Sequence, residues 1–490
     1  MVAAGDVSVP RCIRAGNGIR RVHFVEPGAP DFHIFSRFRL PRIGGVLLAT
    51  ILRDAGYETR AYCEDMTSLR LREIGDADLV GISTVTSTAP AAYRIADDLR
   101  AMGVKVFMGG PHVTFMPDEA LEHCDWVFRG EADEWITQAV AAIDGRFDPA
   151  EVQGLSWRDV DGDGSVHHNV RPEFVRELDE TPAPDFSLLQ GGFSLGFRRT
   201  VVPLVTSRGC PYDCSFCSVT PMFGRCYRFK SPERVIRELV DRNASGNHVF
   251  FYDDHFIASP KRTKVLLDEF IKADLDFRWS AQVRADITKD EAMVEKMARS
   301  GCEAVYIGME SINPATLEEY NKGQTVQDLE SAIKAFHRHK INMHGMFVLG
   351  SDTDTVKTIR ETARFAKRNR IQTIQFLILT PLPGTRYYDK LKSEGRIIFD
   401  DWRLYDAQHV VYRPKLMSVY ELQIEMLKAT LSFYSKRQII KQFLRFEFTH
   451  SIITAYGRSH ALKWRRRNAD FLDRVRSLGA AGAPLAAGAW

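Results

Sequence analysis

The densest chemical signal in the chain is a group of three cysteines within eight positions. Cys210, Cys214 and Cys217 are separated by three and then two residues. Three thiolates on one tight loop can bind three irons of a four-iron, four-sulfur (4Fe-4S) cluster. The fourth iron then has no protein ligand and can bind a substrate or a cofactor. The spacing therefore predicts a cluster with one open iron.

A zinc site is the main alternative for these cysteines. Structural zinc closes a shell of four ligands and usually pairs two short ligand spacings. Cys226 lies close enough in sequence to supply a fourth thiolate, so the ligand count alone leaves zinc open. The spacing matches the usual zinc patterns poorly, and the cluster is the favoured interpretation.

The cysteine loop sits in a region where predicted strands alternate with helix-forming segments. We predict strands at 201–206, 248–252, 277–282, 304–309, 343–349 and 373–379. Six such units suit a partial (β/α)6 TIM-like barrel, in which strand ends converge on one mouth. Charged groups follow three successive strands, as Asp253 and Asp254, then Arg284, then Glu310. We expect them to face one ligand.

On these residues, the chain resembles the radical S-adenosylmethionine (SAM) superfamily. That family places a three-cysteine loop directly after the first barrel strand. Its remaining motif positions, which contact SAM, are matched here by Phe216, Asp253, Asp254, Arg284, Glu310 and Ser311. The resemblance implies that the acidic pair binds the amino group of SAM and that Arg284 binds its carboxylate. It also implies that Glu310 and Ser311 contact the ribose or methionine portion.

The resemblance also implies a reaction. The cluster passes one electron to SAM and cleaves it to methionine and a 5′-deoxyadenosyl radical, which abstracts hydrogen from an unreactive carbon. An electron donor such as flavodoxin or ferredoxin is then required. The chemistry of the residues agrees, because an amine favours carboxylates and a carboxylate favours a guanidinium.

Residues 1–150 predict a second α/β unit, an open parallel sheet formed by strands separated by helix-length segments. The predicted strands are 22–25, 58–62, 79–84, 105–108 and 126–128, and the predicted helices are 44–55, 68–74, 89–102 and 131–143. Ligands of such sheets bind beyond the carboxyl ends of the strands. Two predicted strands run into small residues, Ser83 and Thr84 in one case and Gly109 and Gly110 in the other. Glycines at these ends allow a large ligand to approach the backbone closely.

Upstream of such a barrel, this sheet resembles the Rossmann-like, cobalamin-binding domain of one radical SAM subclass. The subclass includes hopanoid methylases and related lipid and tetrapyrrole enzymes. The resemblance implies cobalamin contacts at Ser83, Thr84, Gly109 and Gly110. The Asp-x-His-x-x-Gly sequence of cobalamin mutases is absent from residues 1–150, so no axial ligand is assigned. A sheet that binds nothing, or another nucleotide, stays open as the alternative.

These signals divide the chain into five parts. Residues 1–150 form the cobalamin-binding-like α/β domain, and 151–200 form a hairpin and linker. The partial barrel spans 201–396, and a helical C-terminal region spans 397–477. Residues 478–490, rich in Gly, Ala and Pro, are expected to be a disordered tail.

The composition limits the possible binding partners of the protein and its cellular compartment. A formal net charge of +3 over 490 residues does not argue for nucleic acid, and we expect no such partner. No apolar run approaches the roughly 20 residues that cross a bilayer, and no secretory signal is visible. Eight cysteines are few for this length. We therefore expect a cytoplasmic protein with reduced thiols.

The C-terminal region interleaves basic and apolar residues. Lys436, Arg437, Lys441 and Arg445 alternate with Ile and Phe, and Arg465 to Arg467 follow Trp464. Such a stretch can lie on a membrane surface. It can also be a solvated helix face that covers the barrel. Peripheral membrane contact is therefore carried forward as a hypothesis.

The segment 402–417 resembles the region beyond the barrel in hopanoid methylases and related lipid or tetrapyrrole enzymes. This resemblance implies a hydrophobic small-molecule substrate.

Three functions are compatible with these observations. The leading one is a cobalamin-dependent radical SAM methyltransferase that acts on an unactivated carbon of a small, lipid-like molecule. The same cofactors also support ring closure or rearrangement without methyl transfer. A non-catalytic cobalamin or iron–sulfur sensor is the third, and it would have no use for the SAM-binding strand ends.

Overall fold

A computed structural model describes residues 12–29, 40–159, 162–191 and 201–480. It separates into two compact units. The first comprises the described residues up to Pro211 together with Ser218–Asn243, and the second comprises Tyr212–Cys217 and the described residues from Ala244 onward. The predicted disordered tail lies outside the described residues from 481 onward, whereas residues 478–480 are helical.

The first unit is built on a mixed sheet with helices on both of its faces. Its strands are β1 (Arg21–Glu26), β2 (Glu58–Cys63), β3 (Leu79–Ser83), β4 (Lys105–Gly109), β5 (Trp126–Phe128), β6 (Leu155–Arg158) and β7 (Val166–His168). Their order in the sheet is β2-β1-β3-β4-β5-β6-β7. Strands β1 to β5 pair in parallel, whereas β6 and β7 pair antiparallel. The predicted hairpin therefore extends this sheet.

Helices cover the two faces of the sheet, as parallel strands require. They are α1 (Ile43–Asp54), α2 (Leu71–Ile74), α3 (Ala89–Ala101), α4 (Pro111–Phe115), α5 (Pro117–Ala120) and α6 (Ile136–Ile143). Alternate residues of a strand point to opposite faces. Thus Val106 and Met108 pack in one cluster with α3, while Phe107 packs in another with α1 and α6.

The first unit also contains the elements on both sides of the cysteine loop. These are β8 (Val201–Leu204), β9 (Ser207–Arg208), α7 (Val219–Phe223), β10 (Arg228–Phe229) and α8 (Pro232–Asp241). Strands β9 and β10 pair antiparallel. Helix α8 begins at a Ser231 cap, whose hydroxyl accepts from the Arg234 N–H, and it has proline in its first turn, where no donor is lost.

The second unit contains five parallel strands with the predicted helical crossovers. The strands are β11 (His248–Phe251), β12 (Arg278–Val283), β13 (Cys302–Glu310), β14 (Asn342–Leu349) and β15 (Thr373–Ile378), in the order β15-β14-β13-β12-β11. The helices are α9 (Pro260–Ala273), α10 (Glu291–Arg299), α11 (Pro314–Glu319), α12 (Val326–Arg338), α13 (Val356–Arg368) and α14 (Arg386–Ser393). Each of the six strands predicted from residue 201 onward is present, which confirms the barrel-like α/β fold.

Four helices end the described part of the chain and confirm the predicted helical C-terminal region. They are α15 (Val419–Phe433), α16 (Lys436–Leu444), α17 (Phe448–Arg467) and α18 (Ala469–Ala480). Among the described residues, none of the helices has both the length and the apolar character needed to span a bilayer.

Candidate active site

The cysteine loop is irregular backbone between β9 and α7. Cys210, Cys214 and Cys217 are all partly exposed, and none of them forms a disulfide. The Cys217 N–H donates to the Cys214 carbonyl at 3.2 Å, which makes the second half of the loop a tight turn. Gly209 enters the loop with a positive φ of 80°, and a Cβ there would lie 2.5 Å from the Cys226 carbonyl oxygen.

The donor chemistry of this loop fits an iron–sulfur cluster. Three accessible thiols on one short segment are the ligand set that leaves one iron open. Cys226, the candidate fourth zinc ligand, is exposed. Across the described residues, no group of three or more His, Cys, Asp or Glu side chains is already arranged around a metal position. The ligand assignment therefore depends on the spacing and accessibility of the three cysteines.

Arg284, the predicted carboxylate partner of SAM, is buried directly after β12. Its guanidinium lies over the ring of Tyr212, 3.7 Å from the centroid. Its Nη2 donates to the Lys322 carbonyl at 2.6 Å, and its Nε donates to Asp286 at 3.3 Å. Tyr212 belongs to the cysteine loop, so the arginine is held rigidly beside that loop.

Glu310 ends β13 and is paired with a lysine that the sequence analysis did not identify. Lys322 donates its Nζ to Glu310 at 2.6 Å, and both side chains are buried. Burial is the largest single influence on Lys322 and lowers its pKa, but the Glu310 carboxylate and Cys214 together outweigh burial and hold the lysine pKa above its usual value. Lys322 lies in irregular backbone outside the strands, where no motif or spacing in the sequence indicates a functional residue. Glu310 has a positive φ of 56°, beside a register shift in the β13–β14 pairing.

The acidic pair that follows β11 contains a carboxyl group with a raised pKa. Burial, followed by repulsion from Asp253, raises the pKa of Asp254 to about 7. Burial also lowers the pKa of the neighbouring His255 to about 3, with Arg284 and Lys322 acting in the same direction. His255 is therefore neutral at pH 7. A bound ammonium group, such as that of SAM, would stabilise the ionised form of Asp254.

The other predicted SAM contacts have defined neighbours. Phe216 packs edge-on against Tyr320, with ring centroids 4.9 Å apart. The Ser311 hydroxyl accepts from the Asn313 N–H at 3.0 Å and shapes the turn before α11. Ser311 is buried, so its hydroxyl has a local structural role in addition to any contact with a ligand.

The predicted cobalamin residues meet at the ends of β3 and β4. Thr84 is buried, and both its backbone N–H and its hydroxyl donate to the Gly109 carbonyl, at 2.9 and 3.2 Å. Ser83 is half-buried. Gly110 has a φ of +99°, and a Cβ there would lie 2.5 Å from the Thr84 carbonyl oxygen. The folded chain itself therefore requires glycine at position 110.

Gly109 differs from Gly110. A Cβ at Gly109 would meet one atom within 4 Å, the Phe128 carbonyl oxygen at 3.8 Å. Its φ is not in the left-handed region. Neither packing nor backbone conformation requires glycine here, so the open space beside Gly109 fits a ligand that packs against the backbone.

A buried ion-pair network in the first unit was missed by the sequence analysis. Arg228 donates to both carboxylate oxygens of Glu131, at 2.6 and 3.0 Å, and to the carbonyls of Val175 and Phe223. Arg208, two residues before Cys210, donates to Asp133 at 2.7 Å. These bonds fix the strands on either side of the cysteine loop. Their partners are distant in sequence, so no local motif could have indicated them.

Comparisons with known proteins match two separate segments of the chain. A model of the radical SAM superfamily matches residues 204–366, and a model of the B12 binding domain matches residues 36–140. The first covers the segment from the end of β8 to α13. The second includes both pairs of small residues at the ends of β3 and β4.

Full-length relatives align over most of the chain. The bacteriochlorophyllide d C-12(1)-methyltransferase of Chlorobaculum tepidum is 32% identical over 371 residues, which is 74% of this chain and 76% of that protein. The anaerobic magnesium-protoporphyrin IX monomethyl ester cyclase of Rubrivivax gelatinosus is 26% identical and covers 82% of this chain and 74% of its own. One relative is thus a methyltransferase and the other a cyclase.

A solved structure shares the fold. The radical S-adenosylmethionine methyltransferase TsrM from Kitasatospora setae, solved with cobalamin and a 4Fe-4S cluster bound, superimposes with a TM-score of 0.64. The match covers 77% of this chain and 78% of that one, at 19% sequence identity.

Proposed function

Because the chain belongs to the radical SAM superfamily, in the group that carries a B12 binding domain, we propose that it is a cobalamin-dependent methyltransferase of a small, apolar molecule. The carbon that receives the methyl group is unactivated. The observation that carries the proposal is the presence of both domains in one chain that aligns with a methyltransferase over 74% of its length.

The residues of the site support these cofactor roles. When bound, the cluster and SAM supply a radical that abstracts hydrogen, and cobalamin supplies a transferable methyl group. Cys210, Cys214 and Cys217 hold the cluster. Arg284, fixed over Tyr212, orients the carboxylate of SAM, and the pair Asp253 and Asp254 binds its amine.

The remaining residues set the charge and the space around the cofactors. Lys322 neutralises Glu310, so that the carboxylate accepts hydrogen bonds without adding net negative charge near the cluster. Phe216 and Ser311 shape the walls beside SAM. In the first unit, Ser83, Thr84, Gly109 and Gly110 line the position of the cobalamin.

Methyl-labelled SAM tests the proposal directly. Reconstituted enzyme is incubated under anaerobic conditions with candidate lipids, tetrapyrroles and secondary metabolites, and the products are analysed by mass spectrometry. A methyltransferase places the label in the product and also releases 5′-deoxyadenosine. Deoxyadenosine and an altered product without label would instead establish ring closure or rearrangement, the candidate that the cyclase relative favours. Cofactor binding without any SAM cleavage would instead indicate a non-catalytic cobalamin or iron–sulfur sensor.

We also propose the setting in which the enzyme works. Eight cysteines are few for a chain of 490 residues, which suits the cytoplasm. A flavodoxin or ferredoxin supplies the electron. The basic C-terminal helices bring the enzyme to a membrane surface, where an apolar substrate would be found.

A further inference from the structure

The turn between α16 and α17 exposes a cluster of large apolar side chains. We call residues 443–448 the aromatic tip. Phe443 is 58% exposed, Leu444 71%, Phe446 81% and Phe448 47%. The Phe448 ring contacts those of Phe443 and Phe446, with centroids 5.3 and 6.0 Å apart. Ile440 and Ile452, on the two adjoining helices, are also exposed. Apolar side chains clustered in this way mark an interaction site.

Phe446 occupies a position where folding alone favours glycine. Helix α16 ends in a Schellman motif, in which the Phe446 N–H donates to Phe443 and the Glu447 N–H donates to Gln442, both at 3.0 Å. The residue that closes this motif adopts a left-handed conformation and is usually glycine. Phe446 has a φ of 60°. The chain therefore tolerates both backbone strain and solvent exposure in order to keep an aromatic ring at this point.

The charge around the tip is strongly one-sided. From Lys436 to Arg467 there are nine Lys and Arg residues and one acidic residue, Glu447. The remainder of the chain has 57 basic and 62 acidic residues, given totals of 66 and 63. The positive charge of the whole molecule is thus concentrated on the two helices that carry the aromatic tip. Lys436, Arg437, Lys441 and Arg445 are exposed beside it.

We propose that the aromatic tip inserts into the surface layer of an anionic lipid bilayer while the neighbouring basic side chains bind the lipid headgroups. Interfacial helices of this type bury apolar groups roughly 5–10 Å into the boundary between headgroups and acyl chains. The inference rests on the membrane contact proposed above and assigns the residues that make it. It does not depend on methyl transfer.

The mixture of side chains favours a bilayer over the other partners of a basic surface. Single-stranded nucleic acid would stack its bases on the phenylalanines but would have no use for the exposed Ile440, Leu444 and Ile452. Acyl chains contact aliphatic and aromatic groups alike. A second copy of the chain would have to bring two strongly basic surfaces together, and this is repulsive at low salt.

Vesicle flotation of the full chain tests the inference without any turnover. The protein is mixed with vesicles of phosphatidylcholine alone, or of phosphatidylcholine with phosphatidylglycerol, at low and high salt. We expect binding to the anionic vesicles, weakened by salt. Neutralising Arg437, Lys441 and Arg445 together to Gln should weaken it by roughly a hundred-fold, since each basic residue near an anionic surface contributes about five-fold.

Three substitutions at one position separate lipid binding from folding. Phe446→Gly relieves the left-handed strain, so its thermal midpoint should equal or exceed that of the wild type, while its vesicle binding falls about ten-fold. Phe446→Leu keeps an apolar side chain and should retain most of the binding. Val170→Ser, at a residue that is also 81% exposed but distant in sequence, is the matched control and should bind as the wild type does.

Several outcomes would overturn the inference. They are equal binding to neutral and anionic vesicles, unchanged binding by Phe446→Gly, or absence of binding by the wild type. A lipid-free dimer that Phe446→Gly dissociates would assign the tip to a second copy instead. If the enzyme methylates its substrate but never floats with vesicles, the proposed function holds and this inference fails. If it floats with vesicles but shows no turnover, this inference holds and the proposed function fails.

Discussion

At the scale of single residues, the cluster assignment predicts a sharp difference among cysteines. Replacing Cys210, Cys214 or Cys217 by Ala should abolish SAM cleavage and lower the iron content, which we expect to be about four per chain in the reconstituted wild type. Cys226→Ala and Cys302→Ala are the controls, and both should retain the cluster and its absorbance. Loss of metal from Cys226→Ala as complete as from the other three would establish a four-ligand site.

Asp254 should couple SAM binding to pH. Its pKa is raised to about 7 by burial and by Asp253, so the carboxyl is largely protonated below that pH in the absence of SAM. The ammonium group of SAM binds the ionised form, and binding near neutral pH should therefore release a proton. Affinity should fall as the pH drops through about 7, because protonation then competes with SAM.

Calorimetry measures this coupling. Binding heats recorded in two buffers of different ionisation enthalpy should differ for the wild type and agree for Asp254→Asn. That variant should also bind SAM roughly ten- to a hundred-fold more weakly, the usual effect of losing a charge-assisted hydrogen bond. Asp276→Asn, at an exposed position, should behave as the wild type does. Identical wild-type heats in both buffers would remove Asp254 from the amine site.

At the scale of elements, the alternating pattern predicted the strands well and the helix ends less well. Strand β5 has the predicted bounds, and β3 and β4 differ from prediction by one residue. The helix predicted over 131–143 begins instead at Ile136, because Glu131 is held in the buried pair with Arg228. The helix predicted near 68–74 is the short α2. Local periodicity cannot indicate partners that lie about a hundred residues away.

In the candidate site, too, some residues could be predicted from the sequence and others could not. Strand order placed Arg284 and Glu310 at neighbouring strand ends, since consecutive βα units of a barrel open on one side. Lys322 and Tyr212 emerged only from the folded chain, because both lie in irregular backbone that no periodic pattern describes. The pairing of Glu310 with Lys322 could not be predicted from residue type, because a positive charge alone does not select one lysine of the chain over another.

The edge strand of the second unit should depend on one tyrosine. β15 lies at one end of the strand order, where an unpaired backbone invites association. The buried Tyr434 hydroxyl accepts from the Ile374 N–H at 2.9 Å and donates to the Ile374 carbonyl at 2.7 Å. Tyr434→Phe leaves both groups without this partner and should destabilise the unit by about 2 kcal/mol.

Hydrogen exchange localises this effect. In Tyr434→Phe, the amides of peptide 373–378 should exchange faster than in the wild type, together with a lower thermal midpoint. Tyr420→Phe is the matched control, because the Tyr420 hydroxyl binds an exposed arginine, Arg476, and its loss should cost less than about 0.5 kcal/mol. Equal exchange of peptide 373–378 in Tyr434→Phe and the wild type would show that the helices protect this strand by other means.

At the scale of the whole molecule, the two cofactor sites should load independently. The matched B12 segment ends at residue 140, and the cysteine loop begins seventy residues later. Gly109 gives the cleanest test, because a side chain there meets open space in the folded chain. Gly110 is unsuitable for this test, because any side chain at that position strains the backbone and meets the Thr84 carbonyl whether or not cobalamin is bound.

Gly109→Leu should therefore weaken cobalamin binding by roughly five- to a hundred-fold, since forcing a side chain into a packed contact costs about 1–3 kcal/mol. Its iron content and thermal midpoint without cobalamin should match those of the wild type. Gly44→Leu is the control, because Gly44 is exposed with nothing within 4 Å of an added Cβ, and its corrin absorbance should be unchanged. Full occupancy in Gly109→Leu would place cobalamin away from β4. Joint loss of cobalamin and iron would show that the sites are coupled, and methyl transfer would then depend on both being formed together.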